Sequence, residues 1–120
     1  STGENQLFGT NTVDKRHFTA FSMQHNTASN AEIADEETIK IMNPLNYIGK
    51  PGVNLPQNWR IRVGTNDRDT SLAVSAVLAA KLQNNGQTVD YALPWDVGHG
   101  GDYDLDDLFT WMKQVSSSTK

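Results

Sequence analysis

Apolar and polar positions in the second half of the chain follow two different periods. Residues 59–63 alternate between apolar and polar up to Gly64, which predicts a short strand. Residues 71–85 carry apolar side chains at helical spacing, with so many apolar positions that the helix is expected to be largely covered. Gly86 then supplies the left-handed residue that commonly ends a helix. The pattern therefore predicts a strand followed by a helix.

A second strand and helix follow in the same order. Residues 89–95 predict a strand, residues 96–104 a Gly-rich loop and residues 105–115 an amphipathic helix. Two strands joined by a helix require a right-handed crossover, which makes the strands a parallel pair. The predicted fold class of this part is α/β.

The first half of the chain has weaker periodicity. Residues 1–30 are polar and predict irregular structure or short strands, whereas residues 31–42 predict a helix that stops before Pro44. Pro and Gly in residues 50–58 predict a loop. We therefore divide the chain into an irregular and helical segment, 1–58, and two strand–helix units, 59–120.

The loops after the two predicted strands carry an acid and a histidine. Loops that leave the carboxyl ends of neighbouring parallel strands emerge at one edge of the sheet, so Asp67 and His99 are expected to meet there. A carboxylate that accepts from one imidazole nitrogen fixes the tautomer, and the other nitrogen can then take a proton from a hydroxyl nucleophile. The alternative is that Asp67 caps a turn or helix and His99 is an ordinary loop histidine.

The order acid then histidine is the later part of the Ser…Asp…His order of α/β-hydrolases. Their nucleophile sits in a Gly-x-Ser-x-Gly turn, and no serine of this sequence has that setting. Ser1 is neither an initiator Met nor the start of a secretory pattern, so we expect the sequence to be a piece of a longer protein. The isolated chain is expected to be inactive.

Composition excludes several other classes of function. The chain has 120 residues with 14 acidic and 10 basic side chains, and its net charge of −4 argues against a nucleic-acid partner. It has no cysteine, which excludes a thiol nucleophile and a thiolate metal site. Its longest apolar stretch is too short for a membrane helix, so no membrane association is expected.

Six strings in the sequence together resemble a known family. They are Glu4-Asn5-Gln6-Leu7-Phe8-Gly9, Met42-Asn43-Pro44, Trp59-Arg60-Ile61-Arg62, Asp67-Arg68-Asp69-Thr70-Ser71-Leu72-Ala73, Ala92-Leu93-Pro94-Trp95-Asp96 and His99-Gly100-Gly101-Asp102-Tyr103-Asp104. This set is similar to the C-terminal part of bacterial tannases, which are α/β-hydrolases related to feruloyl esterases. The resemblance implies the C-terminal portion of an α/β-hydrolase fold, incomplete as a standalone domain.

The resemblance also implies roles for individual residues. Tannases hydrolyse galloyl esters with a serine nucleophile, so Asp67 would be the triad acid and His99 the general base. Asp69 and Glu4 would accept hydrogen bonds from phenolic hydroxyls, and Trp95 is near enough to His99 in sequence to line the pocket. The serine, the oxyanion hole and a substrate-binding lysine would lie on an upstream segment, and no cofactor is implied.

The sequence leaves several alternatives open. Asp69 could instead be the N-cap or a first-turn acid of the helix that begins near Ser71. The chain could belong to a feruloyl esterase or general carboxylesterase, or could be a non-catalytic module that binds aromatic ligands. The acids in 102–107 are spaced like the start of a calcium loop but lack its later Gly and Glu. We therefore expect no metal site and interpret Asp104, Asp106 and Asp107 as acids that cap the last helix.

Overall fold

The chain consists of two compact units, Ser1–Tyr47 and Ile48–Lys120. The structure is a computed structural model, which describes residues 16–25, 31–101 and 103–118. None of the helices in this described part has the length and apolar character that a membrane crossing requires.

The first unit contains short elements in the order strand, helix, strand, helix. They are β1 (Arg16–His17), α1 (Ala20–Gln24), β2 (Glu32–Ile33) and α2 (Glu36–Met42), followed by a 3-10 helix at Pro44–Asn46. β1 and β2 pair in parallel. Within the described part of residues 1–30, the short strand β1 agrees with the prediction, whereas α1 was not predicted.

The helix predicted at residues 31–42 is shorter than expected. Its first residues, Glu32–Ile33, form β2 because they pair with β1. α2 begins after Asp35, whose carboxylate accepts the backbone N–H of Thr38 at 2.8 Å. It ends at Met42, before Pro44 as predicted. A local cap and a non-local strand pairing therefore override helical spacing at the start of this segment.

The second unit has the predicted order of strand, helix, strand and helix. Its elements are β3 (Asn58–Arg62), α3 (Leu72–Asn84), β4 (Thr88–Ala92) and α4 (Leu105–Ser117). β3 and β4 pair in parallel along their whole length. This confirms the α/β class and the parallel pairing.

The ends of α3 and β4 follow from local chemistry. Ser71 Oγ accepts the N–H of Ala73, and Gly86 adopts a positive φ of 90° just beyond the helix, as the sequence predicts. β4 ends earlier than predicted, at Ala92. Pro94 lacks the N–H that a ladder needs, and its carbonyl instead accepts the N–H of Thr65 at 2.9 Å.

One face of α3 forms the core of this unit. Ser75, Ala79 and Leu82 are its buried residues, and the Ser75 hydroxyl lies 3.1 Å from the Tyr91 hydroxyl on β4. Other apolar side chains of α3 are exposed, among them Val74 at 61 %. The expectation that α3 is largely covered is therefore wrong for the described residues, because two strands cover only one side of a helix.

Truncation of the most buried side chain tests this description of the core. Leu82 has no exposed surface, so Leu82→Ala is expected to lower the free energy of unfolding by about 2–5 kcal/mol through lost burial and a cavity. Val74→Ala on the exposed side of the same helix is the control, with an expected change below about 1 kcal/mol. Urea unfolding measures both, and equal losses would contradict the assignment of the buried face.

Candidate active site

The loops that follow β3 and β4 are hydrogen-bonded to each other at one edge of the sheet. Thr65 donates its N–H to the carbonyl of Pro94 at 2.9 Å, and its hydroxyl accepts the N–H of Asp96 at 2.7 Å. One residue further, the N–H of Asn66 donates to the carbonyl of Val97 at 2.9 Å. These bonds fix the start of the second loop against the start of the first.

The two backbones approach each other so closely that one position must be glycine. A Cβ on Gly64 would lie 2.1 Å from the carbonyl oxygen of Val97 and 2.8 Å from that of Gly98. Neither oxygen can move without moving the loop that carries it. In the second loop, directly before Val97, Asp96 adopts a positive φ of 56°, a conformation that Asp tolerates better than most residues.

Asp67 is held in place by the backbone of its own loop. Its Oδ1 accepts the N–H of Asp69 at 2.8 Å and that of Thr70 at 3.0 Å. The side chain is only 7 % exposed. With Oδ1 occupied, Oδ2 remains to meet a further donor. Asp67 thus caps a turn, as the alternative interpretation held, and still presents an oxygen to the sheet edge.

His99 supplies the donor for that second oxygen. Its Nδ1 lies 3.0 Å from Asp67 Oδ2, which confirms the predicted contact between residues 32 positions apart. An ionised carboxylate can only accept, so this bond requires the proton on Nδ1. The neutral imidazole then carries no proton on Nε2, and the ring is 53 % exposed. Such a ring is oriented to take up a proton from outside.

Local hydrogen bonds keep Asp67 ionised. The backbone N–H of Thr70 lowers the pKa of Asp67, and the N–H of Asp69 and the imidazole of His99 lower it further, against the opposing effect of burial. All three donors favour the charged form of the carboxyl group. The negative charge beside His99 in turn stabilises a protonated imidazole.

The structure places the predicted substrate-binding residues unequally. Asp69 is 60 % exposed, with Oδ2 at 4.0 Å from His99 Nδ1. Ser71 caps α3 and the helix begins at Leu72, so the alternative interpretation of Asp69 as an N-cap or first-turn acid is wrong. Trp95 lies in the same turn as Asp96 and is 87 % exposed. Glu4 lies outside the described residues. Substrate contacts by Asp69, Glu4 and Trp95 stay predictions.

Three side chains of the site could together offer ligands to a metal ion. Each of these residues, Asp67, Asp69 and His99, offers one donor atom, and the three atoms lie within 4.8 Å of one another. Carboxylate and imidazole donors suit Zn²⁺. In the structure, however, His99 and Asp67 hydrogen-bond to each other, and this pairing of the two groups needs no ion. The expected absence of a metal therefore stays a prediction.

The acids at the start of the last helix lie where the sequence predicts, although the Asp104 carboxylate has a partner on another element. Asp104 occupies the N-cap position of α4, as predicted, but its side chain makes no capping hydrogen bond. Its carboxylate instead accepts from Arg60 Nη2 at 2.5 Å. Asp106 and Asp107 lie in the first turn of α4, where negative charge is favourable, as predicted.

Sequence reasoning missed the residues that join the two loops. Thr65, Asn66 and Asp96 carry short polar side chains next to strand ends, a pattern that is typical of turns. The sequence therefore signals turns at both places. It does not signal that the two turns bond to each other, because that depends on the pairing of distant strands.

Adding a methyl group at the close approach tests its importance for the site. Gly64→Ala is expected to lower the free energy of unfolding by about 1–3 kcal/mol, because the new Cβ overlaps backbone atoms of the second loop. Gly100→Ala in the second loop is the control, since nothing lies within 4 Å of its Cβ position. Urea unfolding measures both. A stable Gly64→Ala variant would show that the loops are not closely apposed.

The lowered pKa of Asp67 makes a prediction about acid stability. An unfolded Asp titrates near pH 4, so stabilisation by ionised Asp67 is complete above that pH and is lost as the pH falls through the lower native pKa. Asp67→Asn lacks this titration, so its stability is expected to fall less than that of the wild type between about pH 5 and pH 2. Urea midpoints across this range measure it, with Asp106→Asn as control. Parallel wild-type and Asp67→Asn curves would contradict the assignment.

Comparison with known proteins finds solved structures that are similar to the chain. No family model and no curated protein matches it. It is similar to the tannin acyl hydrolase from Lactobacillus plantarum at 47 % identity and a TM-score of 0.74, over 92 % of this chain and 24 % of that one. For the Fusobacterium nucleatum tannase the values are 47 % and 0.73, over 96 % of this chain and 25 % of that one.

A third similar structure is a tannin acyl hydrolase in complex with ethyl gallate, at 46 % identity and a TM-score of 0.74, over 93 % of this chain and 24 % of that one. The chain thus spans about a quarter of the length of these enzymes. Over that span nearly half of the residues are identical and the backbones superpose. The chain belongs to the family of bacterial tannases.

Proposed function

We propose that this chain supplies the acid and the general base of a serine ester hydrolase that acts on galloyl esters. The observation that carries the proposal is the hydrogen bond between His99 Nδ1 and the buried carboxylate of Asp67. Identity of 46–47 % to tannin acyl hydrolases adds the reaction class. If Asp67 only capped its own turn, no histidine would be needed at this edge of the sheet.

In the proposed reaction, His99 takes the proton from a serine hydroxyl as that oxygen attacks the ester carbonyl. Asp67 stabilises the resulting imidazolium and keeps the ring in one orientation. The imidazolium returns the proton to the leaving alcohol, and an acyl-enzyme remains. The same ring then deprotonates a water that attacks the acyl carbonyl, and the imidazolium returns this proton to the serine oxygen as its bond to the aromatic acid breaks.

We propose that the remaining catalytic groups lie on another part of a longer polypeptide. No serine of this chain occurs in a Gly-x-Ser-x-Gly turn. A sheet of two strands is also marginal by itself, since at least three strands or further packing are needed for independent stability. The exposed apolar side of α3 supports the same conclusion. In this proposal the chain is the C-terminal portion of an α/β-hydrolase domain.

We propose that the exposed carboxylate of Asp69, which lies beside the pair of Asp67 and His99, binds the galloyl ring. Adjacent phenolic hydroxyls are donors, and a carboxylate such as that of Asp69 accepts hydrogen bonds, so the two match in polarity. Glu4 is proposed as a second acceptor and Trp95 as an aromatic wall of the pocket. A pocket built to pair with phenolic hydroxyls rejects rings that lack them, which gives selectivity for gallates.

Removal of the proposed base tests the function. In the full-length product of the reading frame, His99→Ala is expected to reduce kcat on methyl gallate by a factor on the order of 10⁴ to 10⁶, because the serine loses its proton acceptor. His25→Ala, at an exposed histidine in the first unit, is the control and should retain activity. Spectrophotometric release of gallate measures both.

The outcomes separate the alternatives. An active His99→Ala enzyme would refute the assignment of the base. Faster hydrolysis of methyl ferulate than of methyl gallate would favour a feruloyl esterase or general carboxylesterase over a tannase. Binding of gallate with no hydrolysis of any ester, by a wild-type full-length protein, would favour a non-catalytic module that binds aromatic ligands.

A further inference from the structure

A cluster of charged side chains lies beneath the two loops on one face of the sheet. Arg60 and Arg62 project from β3 on the face opposite Ile61, because side chains alternate along a strand. Asp90 on β4 is the register partner of Arg60. Arg62 Nη2 donates to both carboxylate oxygens of Asp90 at 2.8 Å. This ladder couples the two strands by charge as well as by backbone hydrogen bonds.

Asp104 joins this cluster from outside the sheet. Its Oδ2 accepts from Arg60 Nη2 at 2.5 Å and lies 3.6 Å from Arg62 Nε. The side chain of Arg60 is 8 % exposed and that of Asp104 is 19 % exposed. The guanidinium lowers the pKa of Asp104, which is therefore ionised at neutral pH. A short, shielded, charge-assisted bond of this kind is among the stronger polar contacts in proteins.

The position of Asp104 makes this contact unusual. It is the N-cap residue just before α4, where an Asp side chain ordinarily accepts a backbone N–H of the first turn. Here the backbone carbonyl of Asp104 accepts the N–H of Leu108, but the carboxylate caps nothing. The acid that could have stabilised its own helix instead holds the start of that helix to β3.

The loop that carries His99 is therefore attached to the β3 side of the site at both ends. At its start, Pro94 and Asp96 bond to Thr65, which follows β3 closely. At its end, Asp104 bonds to Arg60 on β3 itself. His99 lies between these attachments, and the loop that carries Asp67 leaves the same strand.

We propose that the ion pair between Arg60 and Asp104 is a positioning device for the general base. It holds the end of the His99 loop to the strand that leads to Asp67, so the 3.0 Å contact between imidazole and carboxylate depends on it. Neither residue touches the reacting atoms. The inference rests on the proposed function of His99. It adds only an account of what holds the His99 imidazole in its orientation.

The test compares two acids of one helix in the full-length product of the reading frame. Asp104→Asn removes the charge that Arg60 binds, and kcat on methyl gallate is expected to fall by up to an order of 10²-fold, as for a catalytic group misplaced by about 1 Å. KM should change less than kcat. Asp106→Asn, two residues further on, removes an exposed charge and should leave kcat within about twofold of wild type.

A spectroscopic signal distinguishes positioning from mere stabilisation. The proton shared by His99 Nδ1 and Asp67 is expected to give a far-downfield proton resonance, which His99→Ala identifies by removing it. Asp104→Asn should broaden or remove this resonance while circular dichroism shows a folded protein. Arg60→Lys keeps the positive charge but loses the fork geometry, and serves as a milder second variant.

The results test the positioning role of the ion pair and the proposed function of His99 separately. An unchanged resonance and an unchanged kcat in folded Asp104→Asn would overturn the positioning role, while an inactive His99→Ala enzyme would leave the proposed function intact. If His99→Ala stays active, the proposed function fails, and the resonance alone decides whether the ion pair orients the ring. If neither Asp104→Asn nor Arg60→Lys folds, the pair is structural and the inference is overturned.

Discussion

Arg62 lies opposite Ala92 in the parallel pair of β3 and β4, so both strands end at the same level of the sheet. Every later feature of the site depends on this register. A shift of one residue would turn the side chains of one strand to the other face and would separate Arg60 from Asp90. It would also remove the match between Thr65 and Pro94 that joins the loops. The hydrogen bond of Asp67 to His99 is thus a product of strand pairing.

Local sequence signals predicted the elements of the second unit well. Alternation at 59–63, helical spacing at 71–85 and Gly86 each reflect the chemistry of neighbouring residues, and the structure confirms them within one or two residues. The start of α2 could not be predicted in the same way, because Glu32–Ile33 pairs with a distant strand. The exposure of Val74 could not be predicted from local sequence either, because it depends on how much sheet is present to cover the helix.

The candidate site was predictable where topology alone determines it. Asp67 and His99 follow consecutive parallel strands, and that placement was enough to expect their contact. The ion pair of Arg60 and Asp104 carried a weaker signal. Strands of parallel sheets are usually apolar on both faces, so two arginines within β3 already indicated buried partners. Their identity depended on the path of the loop before α4, which no local pattern specifies.

Asp67 is oriented by main-chain groups of its neighbours rather than by their side chains. A peptide N–H is present whatever side chain the residue carries, proline excepted. The side chains at 69 and 70 can therefore diverge in size and polarity while the acid keeps its place. The fixed acid and the two positions whose side chains are free to change thus lie within four residues, 67–70. A chain with this arrangement can change the side chains beside the acid without altering the groups that hold the acid.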